Sequence, residues 1–192
     1  MIWLKDKIEF PSYESTTDGG IIALGGDLTE ERLIYAYKNG IFPWYSEGEP
    51  IVWYCPHKRM VLFPDDIKVS KSMQKISKKN KFRITENQAF KEVIYNCKNI
   101  DRNDGYGTWI TGEMEQAYIN LHKKGVAKSI EIWLDNQLVG GLYGLEINSI
   151  FCGESMFSKV SNASKLAFIY LAKNKEYTLI DCQIYNEHLA SL

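Results

Sequence analysis

The sequence predicts an α/β protein of the α+β kind, a mixed and mostly antiparallel sheet with flanking helices, preceded by a small loop-rich domain. Three observations carry that expectation. Strand-like alternation fills the second half and is joined by turn chemistry such as Asp135-Asn136 instead of long crossovers. Apolar residues recur at helical spacing between the strands. Residues 10–60 are instead rich in Gly, Pro and aromatics (FPSYESTTDGGIIALGGD, then NGIFPWYSEGEPIVWYCPHKR). We therefore divide the chain into residues 1–60 and residues 61–192.

The first domain holds one helix. Thr29 suits its N-cap, Glu30 and Glu31 the positive end of its first turn, and Gly40 a left-handed exit. Leu33, Ile34, Ala36 and Tyr37 give it an apolar side too small to fold alone, so it should pack on a larger body. Val61–Phe63 reads as a short strand, Ser70–Lys79 as a helix, Phe82–Ile84 as a strand, and Asn87–Cys97 and Gly112–Lys123 as helices. Lys128–Leu134, Gln137–Leu145 and Ser149–Cys152 form a meander; a helix over Asn162–Lys173 and a strand over Thr178–Gln183 follow.

With 192 residues, 45% of them hydrophobic and 24% charged, the chain can build a core, which excludes disordered and collagen-like classes. No apolar run approaches the roughly 20 residues of a membrane span, and the start MIWLKDKIEF carries charge where a signal peptide is apolar, so a cytoplasmic protein is expected. Cys55, Cys97, Cys152 and Cys182 lie far apart, form no C-x-x-C pair and do not cluster with histidine, so neither disulfides nor a metal site is expected. Lys68, Lys71, Lys75, Lys78, Lys79, Lys81 and Arg83 occupy one segment without an acid; the other 16 basic residues face 24 acidic ones, which makes the surface strongly bipolar.

Four features invite a chemical reading. On the helix of residues 70–79, Lys71, Lys75, Lys78 and Lys79 share one face and Met73 and Ile76 the other, which fits a solvated face or a phosphate-backbone contact. Trp44, Trp53 and Trp109 sit near turn residues, where flat rings can stack unpaired nucleobases or simply pack. On the strand LIDCQI, alternation puts Asp181 and Gln183 on one face, either in a structural hydrogen-bond network or in a cleft, and hides Cys182 on the other, which argues against a Cys182–His188 nucleophile pair. Glu154 stands between a strand and a presumed loop. Gly140-Gly141-x-x-Gly144 lies inside a strand and opens no helix, so it is no phosphate loop.

Together the blocks ALGGDL (23–28), NGIFPWY (39–45), GTWIT (107–111), SIEIW (129–133), LVGGLYG (138–144), IFCGESMFS (150–158), NASK (162–165) and LIDCQIYNEHLASL (179–192) resemble the leucyl/phenylalanyl-tRNA–protein transferase family over nearly the whole chain. The resemblance implies a fold like that of the acyl-CoA N-acetyltransferases, with a small N-terminal domain added. It implies transfer of Leu or Phe, and Met less well, from aminoacyl-tRNA to proteins beginning with Arg or Lys, marking them for degradation. No cofactor and no metal are implied, and a monomer is expected. It places Trp44 and Trp109 on the terminal adenosine, and Leu142, Phe151, Phe168, Leu171 and Ile180 around the Leu or Phe side chain. Lys71, Lys75, Lys78 and Lys79 are implied to contact tRNA, and Glu154 and Asp181 to attract the cationic acceptor. The family's assignment of an Asp-polarised Gln as base maps onto Asp181 and Gln183; a neutral amide is a poor base, so Gln183 is expected to orient and hydrogen-bond instead. Members of the family usually continue into a further segment beyond the block that here ends at Leu192. Two alternatives remain: an acyl-CoA N-acetyltransferase, disfavoured by the glycine-free SKVSNASK, and a tRNA-binding protein without catalysis.

Overall fold

The computed structural model describes residues 2–79, 81–100 and 108–190. In the first part β1 (Trp3–Leu4), β2 (Ile21–Gly25), α1 (Glu30–Lys38), β3 (Phe42–Pro43) and β4 (Val52–Tyr54) build a four-stranded sheet in the order β1-β2-β4-β3 beside one helix. The Thr29 hydroxyl accepts from the Arg32 N–H, and Gly40 leaves the helix at φ 71°, the start and stop the sequence predicts. Leu33, Ala36 and Tyr37 are buried as expected. Arg32, on the same helix, is fully buried, which its charge conceals in the sequence.

The second part contains β5 (Val61–Leu62), α2 (Lys71–Lys78), β6 (Arg83–Glu86), α3 (Phe90–Asn99), α4 (Gly112–Lys123), β7 (Ala127–Leu134), β8 (Gln137–Ile147), β9 (Ile150–Ser158), α5 (Ala163–Asn174), β10 (Leu179–Asp181) and α6 (Glu187–Ala190). Its six-stranded sheet runs β5-β10-β9-β8-β7-β6, and only the β10–β9 pair is parallel. This is the mixed, mostly antiparallel sheet that the turn chemistry predicts.

Alternation along the long strands divides the core into two layers. Tyr143, Leu145 and Phe157 pack with α3 and α4 and also with Leu33 of α1 and Phe42 and Trp53 of the first sheet. On the opposite face Val139, Leu142 and Phe151 pack with α5 and with Met73 of α2. Each fully buried Leu, Ile or Phe contributes about 1.5–3 kcal/mol, so the layer shared by both sheets fastens the first part to the second. The glycines of LVGGLYG serve this packing: a Cβ on Gly140 would lie 2.5 Å from the Ala163 Cβ, and one on Gly144 would lie 2.2 Å from the Cys152 carbonyl.

Beyond the four short strands of the first part and shifted ends elsewhere, two departures from expectation bear on the site. β9 runs on to Ser158, so Glu154 lies within a strand and not at its end. β10 stops at Asp181, and Gln183 adopts φ 62°, a left-handed conformation in which strand alternation no longer applies. The short helix α6 carries too few residues for a periodic signal.

Candidate active site

A cavity of about 520 Å³ opens where the two parts meet. Its apolar wall includes Leu142, Phe151, Phe168 and Ile180, four of the five residues expected around a Leu or Phe side chain. The fifth, Leu171 of α5, is buried in the core and is not among the residues that line the cavity. Trp44 and Trp109 both line the cavity, and Trp44 is 40% exposed. Trp53 is different: it is wholly buried and donates its indole N–H to the Gly25 carbonyl at 2.9 Å, so it is a core residue.

Glu154 reaches the cavity through a β-bulge. Tyr143 pairs with Ser155 and Gly144 with Gly153, which leaves Glu154 as the extra residue. Tyr37 Oη of α1 and Gln183 Nε2 donate to its Oε1 at 2.7 Å each, and Tyr118 Oη of α4 donates to its Oε2 at 2.9 Å. Burial pushes its pKa up to about 7, against the pull of these three donors and with help from the nearby Asp181 charge. Proton accounting acts in the same direction. Tyr37 and Tyr118 also touch each other at 2.6 Å, so two hydroxyl protons serve three contacts until Glu154 takes up the third. Among the residues lining the cavity, Glu154 is the one carboxylate.

Asp181 and Gln183 do not act side by side as the alternating pattern suggests. Asp181 stands behind the cavity wall, and its Oδ1 accepts from the backbone N–H of Gln183 at 2.9 Å, not from its side chain. Arg59 clamps it with Nε at 2.9 and 3.1 Å and Nη2 at 2.7 Å. The Gln183 amide lies on the wall with its N–H₂ committed to Glu154, so its carbonyl oxygen is left as acceptor. Cys182, expected to be hidden, also lines the cavity because the strand has ended. Burial pushes its thiol up to about 12, so a Cys182 thiolate is a poor candidate nucleophile. The side chain of His188 and residue Gly107 of the GTWIT block lie outside the described residues.

Lys71, Lys75, Lys78 and Lys79 are all exposed and form no ion pair among the described residues, while Met73 anchors α2 to the core. Among the described residues, no His, Cys, Asp and Glu cluster could hold a metal, and no helix is long and apolar enough to cross a membrane. Sequence reasoning missed Arg59 and the hydroxyl roles of Tyr37 and Tyr118. The tyrosines sit at helical spacing among apolar residues and read as core, and Arg59 lies in a loop with no periodic signal.

Residues 26–57 match the leucyl/phenylalanyl-tRNA protein transferase N-terminal domain, and residues 61–192 match leucyl/phenylalanyl-tRNA protein transferase itself. The chain is 56% identical to a leucyl/phenylalanyl-tRNA–protein transferase of Flavobacterium johnsoniae and 55% to that of Flavobacterium psychrophilum, covering all of this chain and 92% of each relative. A protein of the same name from Syntrophus aciditrophicus is 51% identical over 96% of this chain and 79% of its own. Among solved structures, a conserved protein of unknown function from Bacteroides thetaiotaomicron is similar at 18% identity and a TM-score of 0.46, over 69% of this chain and 53% of that one. With residues 61–192 matched and relatives above half identity over the whole of this chain, the chain belongs to the leucyl/phenylalanyl-tRNA–protein transferase family.

Proposed function

We propose that this protein moves Leu or Phe, and Met less well, from aminoacyl-tRNA to the N-terminal Arg or Lys of acceptor proteins, forming a peptide bond that marks the acceptor for degradation. The observation that carries the reading is one cavity uniting two loop tryptophans, an apolar wall and a single carboxylate. Trp44 and Trp109 suit the flat faces of a terminal adenosine. The pocket of Leu142, Phe151, Phe168 and Ile180 suits an apolar side chain and discriminates by shape, at about 1–3 kcal/mol per methylene, which is why Met leaks through. The lysines of α2 suit the phosphates of the acceptor stem.

Chemically, the donor ester is already activated, so holding the amine against the carbonyl is the main task and neither metal nor cofactor is needed. An N-terminal amine of pKa about 7.7–8.0 is neutral in roughly a tenth or more of molecules at neutral pH, so some acceptor arrives ready to attack. The Gln183 carbonyl oxygen accepts from its N–H and orients the lone pair. The C–N bond forms, the bond to the ribose oxygen breaks, and the nitrogen's proton passes to that oxygen. Ionised Glu154 pairs with the cationic side chain of the acceptor. Asp181 supports Gln183 through the backbone and does not polarise the amide. Residues 1–60 and 61–192 act as two domains sharing this site, in a cytoplasmic monomer.

The test follows labelled Phe from charged tRNA into peptides that start with Arg or Ala. Transfer to the Arg peptide alone is expected, with Gln183→Ala lowering turnover and leaving tRNA affinity nearly unchanged. tRNA binding without transfer would leave the non-catalytic reading standing.

A further inference from the structure

Arg59 lies outside the cavity, yet it touches what builds two of its walls. Its guanidinium grips Asp181 with both oxygens, and the pair is nearly closed to solvent, at 19% and 11% side-chain exposure. Its remaining Nη1 donates to the Gly40 carbonyl at 2.6 Å, and its Cζ lies 4.9 Å above the Phe42 ring. Gly40 and Phe42 lead directly into Trp44, while Asp181 holds the N–H of Gln183. Two backbone bonds beside Arg59 repeat the bracing: Met60 N–H donates to Gln183 O at 3.0 Å, and Cys182 N–H donates to Met60 O at 2.9 Å.

We propose that Arg59 is a positioning residue for the transfer, its one guanidinium fixing the Phe42–Trp44 segment and the Asp181–Gln183 turn relative to each other. The claim rests on the function proposed above. Geometry explains why arginine serves here. Gln183 at φ 62° is held left-handed against its preference, and a turn so strained needs an external brace. The planar fork meets both carboxylate oxygens and still has a donor for Gly40, which a lysine ammonium on a flexible stem cannot reproduce. Asp181 therefore works as the link between Arg59 and the Gln183 backbone.

The test uses the full chain with Arg59→Met/Asp181→Leu, which removes the pair without stranding a buried charge, alongside Arg59→Lys. Amide hydrogen exchange is followed peptide by peptide, beside transfer from phenylalanyl-tRNA to an Arg-starting peptide. The double variant is expected to melt close to the parent, yet to exchange faster in residues 40–45 and 181–186 than elsewhere. Its kcat should fall at least about tenfold while the KM for charged tRNA moves much less, since misplacement by about 1 Å carries such a penalty. Arg59→Lys should restore protection at 181–186 but not at 40–45, with partial recovery of kcat. A folded double variant with parental kcat, or with unchanged exchange in both segments, overturns the proposal, as does an Arg59→Lys protein indistinguishable from the parent. If the parent itself transfers nothing, the proposed reaction fails, and the exchange pattern still decides whether Arg59 joins the two walls.

Discussion

Glu154 is half-buried with three neutral donors, and its place on the pH scale bears on both the proposed activity and stability. On the function proposed above, ionisation through about 7 supplies the negative charge for a cationic acceptor, and acceptor amines deprotonate slightly above it. Transfer should therefore rise across neutrality with a slope reflecting both groups. In Glu154→Gln the slope should fall to that of the amine alone, and the preference for Arg over Ala peptides should shrink, as kcat/KM profiles would record. The sign for stability is the opposite. Folding raises this carboxyl from 4.5 to about 7, so its contribution is fully present below pH 4.5 and is lost as pH climbs through 7. The melting temperature of Glu154→Gln should gain on that of the parent between pH 5 and 8; a constant difference would refute the assignment. Chemistry at this scale was partly legible. Glu154 and Gln183 stood out as polar groups in apolar surroundings, but a bulge and a left-handed turn set their directions, and neither has a residue-type signature here.

Among the elements, α2 shows how far a pattern can be trusted. Its charged and apolar residues separate at helical spacing, the Ser70 hydroxyl caps its first turn, and Met73 is buried. Lys71, Lys75, Lys78 and Lys79 are exposed, and no acid among the described residues forms an ion pair with them. Replacing Lys75 and Lys78 by Gln should weaken charged-tRNA binding and reduce the salt dependence of log K by about 0.7–0.9 for each phosphate no longer neutralised, leaving single-turnover chemistry at saturation unchanged. Filter binding across a salt series reads this directly. An unchanged slope would return the stripe to an ordinary solvated face. α5 marks the limit of the same reasoning. Phe168 and Leu171 both belong to its buried side, and periodicity cannot tell which of them faces a cavity.

For the whole molecule, the first part stays attached by burial and by the half-buried Arg59, while the fully buried Arg32 organises the first part itself. Arg59 joins it to β10, and Arg32 gathers its N-terminal segment, donating to the carbonyls of Lys5, Asp6 and Lys7 and to both oxygens of Asp27. Burial would raise the Asp27 carboxyl, yet hydrogen bonds from Arg32 and Thr29 win and hold it down at about 2. Arg32→Ala should cost about 1–3 kcal/mol, because it removes the guanidinium's bonds to three carbonyls and to Asp27, although Thr29 still donates to that half-exposed carboxylate. Denaturant unfolding measures that loss, and a variant within 1 kcal/mol, roughly the scale of an exposed pair, would show the clamp to be dispensable.

By itself the sequence determined what depends on neighbours along the chain. Period and turn chemistry set the helices and the antiparallel meander, the lysine segment set the bipolar surface, and the block NGIFPWY with IFCGESMFS and LIDCQIYNEHLASL carried the family resemblance. Tertiary structure alone decided what depends on residues distant in sequence. It buried Trp53 and exposed Trp44, kept Leu171 from the cavity, moved Asp181 behind the wall and brought Tyr37, Tyr118, Glu154 and Gln183 from four separate segments into contact. The reason is physical. Local pattern fixes which face of an element is apolar, whereas the partner of a buried polar group is chosen by the whole packed arrangement, since each such group must find a hydrogen bond wherever the fold supplies one.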